Sequence, residues 1–152
     1  MVEFVTGNLV TGKFDIFCHQ VNCRGKMGAG LAKQIRNQYP EVYKEYKDIC
    51  NNGKAILGMN HYTYTSDGRI CVDMFAQDNY ATDKRYTDYT AFKSCLRGLV
   101  TFLGYTFNDQ KTVAFPYMIG CGLAGGDWNV ILKMIEEFSG LVPHRVVIVK
   151  LN

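Results

Sequence analysis

Short runs of aromatic and β-branched residues along the chain predict a series of β-strands. The run at residues 14–21 is apolar at almost every position, which is typical of a strand covered on both faces. The turn signal Ser66-Asp67-Gly68 separates two of the runs and predicts that they pair as a hairpin. Together the runs predict strands at 14–21, 59–65, 70–76, 111–115 and 145–151.

Between the strands, apolar residues recur at intervals of three and four, which is the spacing of one helix face. This spacing predicts helices at 28–38, 41–51 and 87–103, and a last helix that opens at Asp127. An Asp directly before an apolar helical pattern favours an N-cap. Because strands alternate with helices, we expect an α/β fold with a mixed, mostly parallel central sheet.

Composition limits the possible ligands. The chain has 152 residues, 47% of them apolar, and no linker or repeat divides it, so we expect one domain spanning residues 1–152. Its 17 Lys and Arg against 14 Asp and Glu give a net charge of +3. That charge is too weak for an obligate nucleic-acid or membrane-surface binder, but it suits a small anionic ligand.

Cysteine and histidine usage indicates a reduced protein without a metal. The amino terminus lacks the charged region and apolar run of a secretory signal, so the six cysteines are expected to be free thiols in the cytoplasm. No C-x-x-C pair occurs and the three histidines are scattered, so we expect neither a metal nor a cofactor. No apolar run reaches the ~18 residues that span a bilayer, so no membrane is expected.

Two glycine-rich loops, residues 24–30 and 119–126, are the main candidates for binding. Each follows a predicted strand and precedes a predicted helix, and α/β folds bind ligands beyond the carboxyl ends of their strands. Glycine lets the backbone approach an anion, while the amides and the positive dipole end of the next helix attract phosphate. The two loops therefore predict a pocket for a nucleotide diphosphate.

Two common nucleotide motifs do not fit these loops. Gly120, Gly122 and Gly125 match G-x-G-x-x-G, but only 26 residues follow Gly126, too few for the two halves of a Rossmann fold. Neither loop contains the Walker pattern G-x-x-x-x-G-K-[ST].

Three stretches resemble a known family: Thr6-Gly7-Asn8-Leu9, HQVNCRGKMGAGLA at 19–32 and FPYMIGCGLAGGDW at 115–128. In order and spacing they are similar to the macro domain over essentially the whole chain. More closely, they resemble its branch of ADP-ribose-1″-phosphate phosphatases, terminal ADP-ribose glycohydrolases and antitoxin partners of DNA ADP-ribosylating toxins. The resemblance implies a three-layer α/β/α fold that binds ADP-ribose or a derivative in a cleft at the strand ends.

The resemblance also implies which residues contact the ligand. Asn8 would approach the adenine and Asn22 the distal ribose, residues 28–30 would border that ribose and its phosphates, and residues 120–125 would wrap the diphosphate through main-chain amides. The implied set is Asn8, Leu9, Asn22, Met27, Gly28, Ala29, Gly30, Ile119, Gly120, Cys121, Gly122, Leu123, Ala124 and Gly125.

Two side chains are candidates for catalysis. His19 stands three residues before Asn22, where the phosphatase members are similar, and imidazole titrates near neutral pH. The alternative for His19 is a core histidine with backbone partners. Lys84, beside Arg85 in the polar stretch 77–86, is the nearest counterpart of a lysine used by the glycohydrolase members. The alternative for Lys84 is a solvated loop charge.

The glycohydrolase members pair their lysine with an aspartate in the second loop, where this chain has Ala124. Cys121 has no evident base to activate it. The leading expectation is therefore removal of the terminal phosphate of ADP-ribose 1″-phosphate. The alternatives are an ADP-ribosyl glycohydrolase acting on modified protein or nucleic acid through Lys84 with Asp78 or Asp83, and a module that binds ADP-ribose without catalysis.

Overall fold

The computed structural model of the protein describes residues 1–81 and 83–151, and its centre is a six-stranded sheet. The strands are β1 (Val2–Thr6), β2 (Ile16–Asn22), β3 (Asn60–Tyr64), β4 (Ile70–Gln77), β5 (Thr112–Pro116) and β6 (Arg145–Lys150). The helices are α1 (Gly30–Gln38), α2 (Pro40–Asn51), α3 (Tyr89–Thr106) and α4 (Trp128–Ser139). Thr82, in the polar stretch 77–86, and Asn152 lie outside the described residues.

The strands lie in the order β1-β6-β5-β2-β4-β3. Among the strands of the described residues, only β3 runs antiparallel to its neighbour, β4, whereas the other pairs are parallel. The mixed, mostly parallel sheet and the hairpin at residues 66–68 are therefore confirmed.

Helices cover both faces of the sheet, so β2 is buried along its length. Phe17 and Val21 join the core under α1 and α2, while Ile16 and Cys18 join the core under α3 and α4. Successive side chains of a strand point to opposite faces, so a strand between two helical layers is apolar throughout. This arrangement confirms the three-layer α/β/α fold.

The structure corrects several predicted boundaries. The strand β1 was not predicted, because it is a short edge strand with the mixed sequence VEFVT. The helix α3 continues to Thr106 instead of ending at residue 103. The N-cap prediction for Asp127 is confirmed, since its side chain accepts a hydrogen bond from the Asn129 amide at 2.9 Å.

All six cysteines are free thiols, as predicted. Among the helices of the described residues, none combines the length and apolar character needed to cross a bilayer.

Candidate functional site

The two glycine-rich loops face each other across one cleft. The adjacent strands β5, β2 and β4 end side by side, and the connections β2–α1 and β5–α4 are the predicted loops. Between the loops lies a cleft of about 500 Å³, beyond the carboxyl ends of these strands. Its position is the one expected for ligands of open α/β sheets.

The first loop is shaped by Asn22. Its Oδ1 accepts hydrogen bonds from the amides of Arg24 at 3.0 Å and Lys26 at 3.3 Å, and its Nδ2 donates to the Lys26 carbonyl at 2.8 Å. The Tyr46 hydroxyl donates to the Asn22 carbonyl at 2.6 Å from beneath. Asn22 lines the cleft, but its Oδ1 and Nδ2 already form hydrogen bonds within the loop. A contact with a ribose hydroxyl would therefore use the same two atoms.

The start of α1 is open to an anion. Its N-cap, Ala29, supplies no side-chain cap, and the first turn contains no acidic residue. The first amides of a helix have no partner within the helix, and the helix dipole places partial positive charge there. Nearby, the Lys26 ammonium lies 4.8 Å from the centroid of the Tyr80 ring, and both residues line the cleft. This side of the cleft therefore attracts phosphate oxygens.

The second loop presents a row of amides. Its tight turns use the amides of neighbouring residues, and the Gly126 amide donates to the Gly120 carbonyl at 2.9 Å. Within the part of the chain that the structure describes, the amides of Gly120, Gly122, Leu123 and Ala124 donate no hydrogen bond. Successive unpaired amides in a turn form a concave anion-binding surface.

His19 lies in the wall of the cleft but is only 1% exposed. The register of β2 against β4 places it opposite Asp73, with His19 Nε2 at 2.5 Å from Asp73 Oδ1. Its partner is thus a buried carboxylate and not the backbone. Among the described residues, His19 Nδ1 and Asp73 Oδ2 have no hydrogen-bond partner.

Cys71 completes a buried cluster with this pair. The ligating atoms of His19, Cys71 and Asp73 lie within 4.8 Å of one another, a grouping able to hold a metal ion. However, His19 and Asp73 already share a hydrogen bond, and the Cys71 thiol lies 3.8 Å from the same Asp73 oxygen, within reach of a weak hydrogen bond. We therefore interpret the cluster as a hydrogen-bonded one.

Lys84 is exposed and does not line the cleft. Its ammonium lies 5.2 Å from the centroid of the Tyr86 ring. The amides of Tyr86 and Thr87 donate to the Ala124 carbonyl at 2.9 and 3.2 Å, so this segment packs against the second loop. The structure brings Lys84 beside the site without placing its side chain in the cleft wall.

The other predicted residues divide into two groups. Five of them do not line the cleft: Leu9 and Met27 are buried in the core, Asn8 caps its own turn by accepting a hydrogen bond from the Val10 amide at 2.9 Å, and Cys121 and Gly125 belong to the second loop but not to the cleft wall. Those on the wall are Asn22, Gly28, Ala29, Gly30, Ile119, Gly120, Gly122, Leu123 and Ala124.

Several residues of the wall were not predicted. Lys26 stands within the first glycine-rich sequence, and Tyr117 and Met118 directly precede the second, so the loops themselves were the signal for these three. Gln20 and Gln77, near the carboxyl ends of β2 and β4, had no signal in the sequence beyond that location.

Comparison with known proteins identifies the family. The chain matches the Macro domain family over residues 18–135. It belongs to the macro domain family. It is 33% identical over 152 residues to the DNA ADP-ribosyl glycohydrolase of Mycobacterium tuberculosis, covering 97% of this chain and 42% of that protein. It is 26% identical over 179 residues to the ADP-ribose 1″-phosphate phosphatase of Saccharomyces cerevisiae, covering 95% of this chain and 97% of that protein.

A solved structure of Thermosipho africanus DarTG in complex with ADP-ribose has the same fold, with a TM-score of 0.81 and 20% identity over 97% of this chain and 41% of that one. This macro domain thus spans only 42% of the length of the mycobacterial glycohydrolase that it resembles. The resemblance predicted from the loop sequences is confirmed.

Proposed function

We propose that this macro domain binds ADP-ribose derivatives in the cleft and removes the terminal phosphate of ADP-ribose 1″-phosphate. The observation that carries the proposal is the pair of amide-rich walls, the uncapped start of α1 and the second loop, on opposite sides of one cleft. The yeast phosphatase supports the choice of reaction, since the similarity extends over almost all of both chains. The solved relative in complex with ADP-ribose supports the choice of ligand.

In this proposal, His19 and Asp73 form the general-base pair. If the Nε2 proton of His19 lies toward Asp73, Nδ1 carries a lone pair and no partner among the described residues. Nδ1 is buried, so in this proposal the cleft wall opens at His19 when the ligand binds and lets one water molecule reach it. Nδ1 then takes a proton from that water as it attacks phosphorus, the bond between phosphorus and the sugar oxygen breaks, and solvent protonates that oxygen. The amides of both loops hold the diphosphate so that the terminal phosphate meets this water.

The test is release of inorganic phosphate from ADP-ribose 1″-phosphate by the wild type and by His19→Gln, which keeps a polar side chain but supplies no base. We expect kcat to fall at least about 100-fold, the usual scale of general-base catalysis, with little change in ADP-ribose affinity. The matched control is His61→Gln, at a partly exposed histidine on β3 that pairs with Glu45. Full turnover by His19→Gln would show that His19 is not the base.

A second candidate function is removal of ADP-ribose from DNA or protein. It is favoured by the hydrogen bonds from Tyr86 and Thr87 to Ala124, which keep the segment that bears Lys84 against the second loop. If it holds, Lys84→Ala abolishes release of ADP-ribose from the modified macromolecule, whereas Lys93→Ala, at an exposed lysine of α3, does not. Tight ADP-ribose binding with release of neither product would instead identify a binding module.

A further inference from the structure

We propose that Gln20 is a positioning residue that sets the shape of the second glycine loop, and thereby the affinity for the diphosphate. The part of this inference that concerns affinity rests on the proposed function. Gln20 Nε2 donates to Gln77 Oε1 and to Thr87 Oγ1, both at 2.8 Å. One side-chain amide therefore joins the end of β2 to the end of β4 and to the residue before the N-cap of α3.

Thr87 passes this contact on to the loop. Its hydroxyl donates to the Gly120 carbonyl at 2.6 Å, and the same carbonyl accepts the Gly126 amide at 2.9 Å. Thr87 is 1% exposed, so the hydroxyl exchanges no hydrogen bonds with bulk water. With its carbonyl held inward by two donors, Gly120 keeps the orientation in which the amides of Gly122, Leu123 and Ala124 donate no hydrogen bond within the described residues.

Gln20 also packs directly against Gly120. A Cβ on Gly120 would stand 2.8 Å from Gln20 Oε1, so this oxygen faces the glycine Cα. Within the described residues Oε1 is buried and accepts no conventional hydrogen bond, leaving a Cα–H contact of the weak kind. A buried acceptor without a strong donor is costly, and it persists here because the other end of the amide holds two strands and a loop together.

Gln77 extends the same network along the segment that follows β4. Its Nε2 donates to the Asn79 carbonyl at 2.7 Å, and its backbone forms a bridge with Thr87. Gln20 therefore supports the second loop at two places: at the turn of Gly120, and at Ala124 through the segment that packs against it.

The test uses isosteric variants and a measurement that needs no ligand. Gln20→Met keeps the side-chain volume without the amide, Thr87→Val keeps the shape without the hydroxyl, and Thr87→Ser restores the hydroxyl. In hydrogen exchange, we expect the Gly126 amide to exchange about tenfold faster in Gln20→Met and in Thr87→Val, and at the wild-type rate in Thr87→Ser. The matched control is Gln110→Met, at an exposed residue between α3 and β5.

Calorimetry with ADP-ribose supplies the functional measurement. We expect each of Gln20→Met and Thr87→Val to weaken binding about tenfold, the effect of one lost buried hydrogen bond. Because Gln20 and Thr87 share one hydrogen bond, the second substitution breaks no further bond between them. The double variant should therefore lose less than the about 100-fold product of the two single losses. Should Gln20→Met fail to fold, Thr87→Val against Thr87→Ser makes the same comparison.

The outcomes separate this inference from the proposed function. Unchanged exchange at Gly126 in both variants, or losses of affinity that multiply in the double variant, would overturn the role of Gln20. Faster exchange in the variants, together with a wild type that does not bind ADP-ribose, would support the hold of Gln20 on the loop and refute the proposed function.

Discussion

Gly120 and Gly122 stand two residues apart in the second loop, yet only the substitution of Gly120 is expected to cost much stability, whereas that of Gly122 should weaken binding in a protein of nearly normal stability. Gly120 has a φ of +75°, and an added Cβ would meet Gln20 Oε1 at 2.8 Å. The left-handed backbone costs an L residue about 1–2 kcal/mol, and displacing Gln20 costs about 1 kcal/mol more. Gly120→Ala should therefore lose about 2–3 kcal/mol of stability, which lowers Tm by roughly 5–10 °C in a chain of this size.

Gly122 lies in the cleft wall with no atom within 4 Å of an added Cβ and without a left-handed φ. Gly122→Val should fold with a change in stability of only about 0.5 kcal/mol, the usual effect of an exposed substitution. Its branched side chain stands where the backbone must approach the diphosphate. We expect ADP-ribose affinity to fall at least about 100-fold, or about 2.8 kcal/mol.

Thermal denaturation and calorimetry with ADP-ribose measure the two effects side by side. The control is Gly68→Ala in the β3–β4 turn, where φ is +83° and a Cβ would meet nothing. Gly68→Ala should lose stability from its backbone alone and keep full affinity. If Gly122→Val bound ADP-ribose like the wild type, the second loop would not be the diphosphate site, and an unchanged Tm for Gly120→Ala would refute the packing argument.

Three further predictions concern stability and reactivity. Arg69 donates hydrogen bonds to three backbone carbonyls and a tyrosine hydroxyl at 2.6–2.9 Å. In urea unfolding, Arg69→Met should therefore lower the free energy of unfolding by at least about 3 kcal/mol. The control, Arg97→Met at an exposed arginine, should change it very little. Burial lowers the pKa of His144, whose Nδ1 accepts a hydrogen bond from the Lys111 amide, so the unfolded chain binds the proton more readily than the folded one. The urea midpoint of unfolding should therefore fall as the pH drops below about 6.5. In His144→Asn this fall should be absent. Burial raises the pKa of Cys121 to about 11, so Cys121→Ser should keep most of the activity, and a loss above about tenfold would indicate a catalytic thiol.

The fold was predictable where local pattern and burial agree. The run 14–21 is apolar on both faces because helices cover both sides of β2, and the helical stripe after Asp127 faces the core. The pattern failed at β1, where the exposed edge position removes the apolar signal. Periodicity reports burial, so an element that is barely buried leaves little trace in the sequence.

The glycine loops were predictable because strand, glycines and helix are contiguous in the sequence. Asp73 was not, since it stands 54 residues from His19 and meets it only through the register of β2 against β4. Gln77 and Thr87 are 57 and 67 residues from Gln20. Gln77 meets Gln20 because β4 lies beside β2, and Thr87 meets it because the segment after β4 returns to form a bridge with Gln77. Contacts of this kind depend on how strands pair, and one sequence without its fold does not specify that pairing.

This pairing also separates two roles that are adjacent in the sequence. Successive side chains of β2 point to opposite faces, so His19 meets Asp73 on the side of α1 and α2, while Gln20 meets Thr87 on the side of α3 and α4. In the proposed scheme, the first pair serves the chemistry and the second shapes the loop. His19→Gln should therefore lower kcat without altering hydrogen exchange at the Gly126 amide. Gln20→Met should change that exchange rate and the ADP-ribose affinity more than it changes kcat. If either variant produced the effects of the other, the two faces of β2 would act as one unit and the division of roles would be wrong.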